Sequence, residues 1–167
     1  MTIDSHVRRG HPITFGLMAF FGIITLAISA WLVSRFNLYH NYRNTSERDR
    51  VRFVLFCSCW TVVFSILYAV LFWTFTSSIL TSVLSHIVFL AFTWVMWTAA
   101  AAAVTEMLGG GLNCSTQSFF VYCGQLNALE AFCWIMWILV TFATLVVLIR
   151  GILAARRGDG YRGSLVA

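Results

Sequence analysis

The sequence predicts an all-α protein, a four-helix transmembrane bundle that runs up-down-up-down. Three observations carry that prediction. The 167 residues are 60% hydrophobic and 10% charged, with a mean hydropathy of +0.83, whereas a water-soluble domain averages about 45–50% apolar and about 25% charged residues. Four apolar runs lack Asp, Glu, Lys and Arg, at 12–34, 53–76, 79–105 and 131–149, each near the roughly 20 residues that cross a hydrocarbon core as a helix. The connections between them are one charged loop, one very short turn and one Gly/Cys loop, which leaves no room for a second domain. The expected division is a cytosolic segment 1–11, a membrane domain 12–150 with spans at about 12–34, 53–76, 79–105 and 128–149, and a cytosolic tail 151–167.

The first span follows Arg8 and Arg9, a basic flank like that of a signal peptide, but its 23-residue apolar run exceeds an h-region and predicts a retained anchor. Pro12 suits a first helical turn. Gly16 and Gly22 are candidate positions for close helix packing or contact with another copy, because small residues let membrane helices approach. The loop after it ends in NTSERDRVRF, where Thr45 or Ser46 can cap the second helix and Arg48, Arg50 and Arg52 fall near the headgroups.

The turn TSSILTS leads into the third helix, whose run Ala99 to Ala103 flattens one side. Ala99 and Ala103, four apart, form a small-xxx-small face for a neighbour inside the bundle or in a homo-oligomer. The third helix gives way to Gly109, Gly110 and Gly111, and then to Cys114 and Cys123 with eight residues between them.

Arginine counts orient the chain poorly, with six on the side of the termini and five on the other. The cysteine spacing is compatible with a disulfide-closed ring, which would put loops 35–52 and 106–127 on an oxidising face; two free thiols are the alternative. Asn44 and Asn113 begin Asn-x-Ser/Thr triplets on that same face, as candidate glycosylation sites.

Six of the seven tryptophans fall in the outer halves of the spans. Trp31, Trp94, Trp97, Trp134 and Trp137 are therefore candidate contacts for flat sterol rings, with bundle packing as the plainer reading. The pattern Val33, Tyr39, Arg43 at the end of the first span also matches a sterol motif.

Charge within or beside the spans could carry chemistry. Glu106 and Glu130 flank the cysteine loop and are expected to pair with Arg35, Arg48, Arg50 or Arg52. A conducting path would need polar groups continuing through the bilayer, and the second and fourth helices are expected to offer almost none below this level. His86 stands as the one histidine within a span, so a bis-histidine haem is not expected. A quinone-linked thiol exchanger would use a closely spaced cysteine pair, for which only Cys57-Ser58-Cys59 is available; Cys133 reads as a small apolar group. No catalytic, metal or cofactor site is expected, apart from bound sterol or sphingolipid. The net charge of +5 comes from 11 arginines and no lysine; split between two membrane faces, they suit headgroups and not nucleic acid.

The segments HPITFG, ISAWLVSRFN, RDRVRF, LTSVLSHIVFL, AAAAAVTEMLGGGLNCS and YCGQLNALEAF together resemble the fungal branch of the MARVEL-domain proteins over residues 11–150. The resemblance implies four membrane helices with cytosolic termini, and a Cys114–Cys123 disulfide in the second outer loop. It also implies that Gly109, Gly110 and Gly111 make the bend leaving the third helix. It further implies a non-enzymatic role in membrane apposition, vesicle trafficking or lateral organisation of sterol-rich membrane, with self-association, in the plasma membrane or a secretory or endosomal vesicle. The tail RRGDGYRGSLVA is short, so functions borne on longer tails are not expected. The reading is thus a membrane-organising tetraspan, with a small channel or transporter, and then a thiol-disulfide oxidoreductase, as alternatives.

Overall fold

In the computed structural model the backbone is described for residues 3–74 and 83–156, and side chains for 13–71 and 85–152. The expected turn near 76–78, the tail from 157, and the side chains of Arg8, Arg9, Pro12 and Trp73 lie outside the described residues.

Four helices make up the molecule: α1 (Ile3–Tyr39), α2 (Thr45–Thr74), α3 (Val83–Leu108) and α4 (Cys123–Arg156). All four contain stretches long and apolar enough to cross a membrane, and without water every backbone group there must be satisfied within its own helix. The helices overrun the predicted spans at most ends. In particular α1 begins at Ile3, so Pro12 lies inside a helix and not at its first turn. Each helix packs on its neighbours in a closed ring, α1 on α2, α2 on α3, α3 on α4 and α4 on α1, with α1–α2 the most extensive contact.

Packing on α1 explains its glycines differently. Gly22 is buried, and a Cβ there would come within 3.0 Å of Val62 Cγ2, so the missing side chain is what lets α2 lie close. Gly16 is exposed, with nothing within 4 Å of a built Cβ. The alanine run divides as well. Ala100 and Ala101 are fully buried, Ala103 is half-buried and Ala99 faces outward, so the inward small-residue contact is one step removed from the Ala99–Ala103 pair.

The interior is more polar than the sequence pattern suggested. Thr25 and Ser29 on α1, Ser58, Thr61 and Ser65 on α2, and Thr93 and His86 on α3 are all buried, which corrects the expectation that the second helix offers almost no polar groups. Most are closed locally. Thr25 donates to Phe21 O at 2.8 Å, Ser29 to Thr25 O at 2.7 Å, Ser58 to Val54 O at 2.8 Å and Thr61 to Cys57 O at 2.8 Å. Each of these four hydroxyls thus spends its proton on the preceding turn of its own helix.

Thr61 is also one of five threonines whose hydroxyl accepts from a tryptophan. Five indoles donate across helix boundaries to threonine: Trp97 to Thr61 (2.9 Å), Trp60 to Thr93 (3.2 Å), Trp94 to Thr141 (2.9 Å), Trp134 to Thr105 (3.0 Å) and Trp137 to Thr98 (2.9 Å). Between α3 and α4 two of them form a reciprocal clasp. Trp137 donates to Thr98, which donates to Trp94 O at 2.8 Å; Trp94 donates to Thr141, which donates to Trp137 O at 2.7 Å. A Trp-x-x-x-Thr step on each of two antiparallel helices closes this loop, and sliding either helix by one residue would break both halves.

Towards the inner end, aromatic rings fill the space. Phe89 lies 5.0 Å from Tyr68 and 5.5 Å from Phe64, while His86 meets Tyr68 at 4.5 Å and Phe15 edge-on at 5.9 Å. Tyr68 Oη and Ser85 Oγ are 2.8 Å apart. His86 is therefore part of the packed core.

Hydrogen bonds between membrane helices are worth about 0.6 kcal/mol on average and up to about 1.7. Thr98→Val and Trp137→Phe should each destabilise the protein by about 0.5–1.5 kcal/mol in reversible unfolding from bilayer discs. Because they share one bond, the double variant should cost clearly less than the two single effects added; simple additivity would show that the clasp does not form.

Candidate functional site at the outer helix ends

The ends of α1 and α3 and the starts of α2 and α4 meet in a polar cap. Its chemistry begins with how the helices stop. α1 closes on His40, which takes a left-handed φ of 51° and donates its N–H to Phe36 O at 3.1 Å. α3 closes on Gly109 and Gly110, with φ of 74° and 95°, both donating to Thr105 O. Such left-handed C-caps strongly favour glycine. Gly111 lacks a positive φ and has open space around it, so the bend rests on the first two glycines.

The start of α2 is capped by Asn44, not by Thr45 or Ser46: Glu47 N donates to Asn44 Oδ1 at 2.8 Å. Glu47 in turn accepts Arg43 N at 2.6 Å, a reciprocal arrangement close to a capping box. Glu47 is buried at 3% exposure. Sequence reasoning missed it, although an acid three residues after an Asn at a helix start is the signal that could have found it.

Cys114 and Cys123 are joined in a disulfide, with Cα atoms 5.7 Å apart. Cys123 is the first residue of α4, so the bond ties the loop directly to a span. A second tie lies beside it. Asn127 accepts Leu112 N at 2.9 Å and donates to Leu112 O at 2.7 Å, holding both backbone groups of one loop residue. Asn113 Oδ1 accepts from Ser115 N and Oγ, and Gln117 Oε1 accepts Phe119 N and Phe120 N. Tyr122 reaches α1: its hydroxyl accepts from Asn41 Nδ2 at 2.9 Å and its ring packs on Trp31 and Phe36. Asn127 and Tyr122 were not singled out in the sequence, because nothing in their spacing shows what they face.

The predicted charge pairs are redistributed. Arg50 binds Glu106 at 3.0 Å and also donates to Ala103 O at 2.7 Å, bridging α2 to the last turns of α3. Arg48 and Arg52 instead reach Asp49, at 3.2 and 3.6 Å, and Arg52 donates to Asn37 Oδ1 at 2.8 Å. Arg35 lies over the rings of Trp31 and Tyr39, at 5.2 and 5.5 Å. Glu130, about two turns into α4, is 8% exposed and, among the described residues, forms no ion pair with any of these arginines.

The tryptophans separate into two kinds. Trp31, Trp94 and Trp134 are 38%, 36% and 40% exposed on the outside of the bundle, Trp137 is half-buried between α3 and α4, and Trp97 is completely buried. Trp97 is thus a core residue and not a lipid contact, since its indole is committed to Thr61. The free cysteines divide likewise: Cys57 and Cys133 are buried, Cys59 is exposed. Two positions apart on a helix, Cys57 and Cys59 point to different faces and cannot act as one pair.

Between α2, the end of α3 and the loop lies a cleft of about 140 Å³, lined by Arg43, Ser46, Glu47, Arg50, Glu106 and Phe120 among others. The Arg43 guanidinium sits over Phe119 and Phe120, at 5.4 and 5.8 Å. The cap is therefore a rigid polar rim on an apolar bundle, with one small charged recess.

A family model described as MARVEL, membrane-associating domain, matches residues 6–146. No curated protein and no solved structure matches the chain.

Unfolded without reductant, the protein should take up three maleimides, one each at Cys57, Cys59 and Cys133, and five after reduction. Folded protein should label first at exposed Cys59. Five labels without reduction in protein taken from its native membrane would show that the loop is not closed.

Proposed function

The chain belongs to the MARVEL family of membrane-associating domains, and from that premise we propose that it is a membrane-organising tetraspan, not an enzyme, that self-associates and selects the lipid around it. The carrying observation is how its surface is divided. The tryptophan–threonine bonds pair the indole and hydroxyl groups with one another, both inside the bundle and on its surface, so that the outward faces are apolar and aromatic, with Trp31, Trp94 and Trp134 exposed. Flat rings and shallow surface suit rigid sterol or sphingolipid neighbours, and exposed Gly16 and Ala99 leave room for a second copy to approach.

Scaffolding of lateral domains, vesicle trafficking and membrane apposition all draw on that one property. A protein that prefers ordered lipid and its own kind concentrates both. The plasma membrane and secretory or endosomal vesicles, where such lipids occur, are the proposed locations. Thiol exchange gains no support from cysteines facing apart, and conduction gains none from hydroxyls that bond back to their own helices.

The test is extraction with native membrane into polymer-bounded discs, followed by mass and lipid analysis. The expected result is a defined homo-oligomer enriched in sterol or sphingolipid over bulk membrane. Gly16→Leu with Ala99→Leu, both at outward positions, should reduce oligomer size without unfolding the monomer. A monomer surrounded by bulk lipid would overturn the proposal.

A further inference from the structure

The cleft in the outer cap has a composition that self-association does not use. Arg43 and Arg50 bring two positive charges to it, Glu47 and Glu106 two negative ones. Arg50 is committed, held by Glu106 and Ala103 O. Arg43 is not: among the described residues no carboxylate lies within ion-pair distance of its guanidinium, which rests on two phenyl rings. Glu106 has its side chain 75% exposed and meets Arg50 through Oε2. A guanidinium without an ion pair, next to Glu47, and a carboxylate whose Oε1 is not used by Arg50 thus share one recess whose formal charge is zero.

We propose that this cleft binds the zwitterionic headgroup of a phospholipid, its phosphate on Arg43 and its ammonium on Glu106. Charge selects the class. A purely anionic headgroup would gain Arg43 but face Glu47 and Glu106, whereas a phosphate–ammonium pair meets both signs. Arginine suits the phosphate because its planar fork can offer two parallel N–H groups. Phe120, itself buried, lines the recess and backs the Arg43 guanidinium that would meet the phosphate.

Size and position select the source. At about 140 Å³ the recess holds several water volumes, enough for the charged part of a headgroup with the remainder in the open mouth, and falls below the roughly 300–1,000 Å³ of sites that engulf whole ligands. Ser46, Glu47 and Arg50 lie in the first two turns of α2, and Glu106 and Met107 in the last turn of α3. These are the levels at which the apolar spans end, so a lipid beside the bundle delivers its headgroup there without leaving the bilayer. The inference is separate from the scaffold proposal, whose readout is oligomer mass.

The test uses the full chain in micelles containing equal amounts of phosphatidylcholine and phosphatidylglycerol with identical acyl chains, and counts retained lipid by native mass spectrometry. Wild type should retain phosphatidylcholine in preference. Arg43→Gln should lower that retention about tenfold, the size of one lost charge-assisted hydrogen bond. Glu106→Gln should shift the balance towards phosphatidylglycerol. Arg48→Gln, which removes a cation resting on Tyr42 outside the cleft, should change neither. Equal retention of the two lipids by wild type would overturn the proposal, as would Arg43→Gln behaving as wild type. If Arg43→Gln fails to fold, the wild-type competition decides alone. Thermal stabilisation by soluble glycerophosphocholine, without any lipid preference, would assign the zwitterion to a soluble ligand and overturn the lipid assignment.

Discussion

The absence of water in the hydrocarbon core is the constraint on which this structure depends. It removes the usual driving force for helix association, because lipid tails are as apolar as leucine, and leaves packing and hydrogen bonds to hold the bundle. It also makes an unpaired indole or hydroxyl costly. At five threonines the chain meets both conditions with one device, while Ser65 Oγ is buried without a hydrogen-bond partner among the described residues. A threonine hydroxyl donates to the preceding turn and accepts a tryptophan N–H from the next helix, as Thr61 does between Cys57 O and Trp97. The tryptophan then supplies a large ring to the helix boundary while its polar edge is buried. At Gly22 against Val62, where a Cβ would come within 3.0 Å of the facing side chain, the device is absent and bare backbone takes its place.

At the outer face water returns and the chemistry changes with it. Charged groups replace hydroxyls, and Arg50 repeats in ionic form the link between α2 and α3 that Thr61 and Trp97 make below it. The loop from α3 to α4 has no regular structure to hold it. Instead it is held covalently at Cys123, by the side chain of Asn127 and by Tyr122 on the end of α1. The cap therefore touches every helix, which keeps a small charged recess in fixed shape on a bundle that lipids press from all sides.

The spans were legible in the sequence because a membrane helix is written in composition alone, and the glycine–cysteine loop stood out by contrast with it. Side-chain destinations were less legible. Trp94 and Trp97 look alike in sequence, yet three positions on a helix turn one outward and the other into the core. Ala99 and Ala103 have the right spacing for a contact, but which of five adjacent alanines faces inward depends on where neighbouring helices lie, and Ala100 and Ala101 take that place. Arg50–Glu106 could be anticipated as one of several arginine–glutamate pairings, whereas Arg48 and Arg52 found nearby Asp49 first. Glu130 shows the limit in the other direction: it looks as well placed for an arginine as Glu106 does in sequence, yet it is buried about two turns into α4 without an ion pair among the described residues.

Register links these observations. The reciprocal bonds of Trp94 with Thr141 and Trp137 with Thr98 hold α3 and α4 in a single alignment from within the bilayer. The Cys114–Cys123 bond and the grip of Asn127 on Leu112 hold the same alignment from the outer face. Two such fixings of one helix pair, one dependent on low dielectric and the other on an oxidising compartment, restrain each other. If the loop were opened, the clasp would have to set the register with less help from the connection, which the disulfide shortens. The lipid-facing tryptophans belong to that same helix pair, since Trp94 and Trp134 are bonded to Thr141 and Thr105 across it. The exposed aromatic face is thus hydrogen-bonded to the same two helices that form the core behind it.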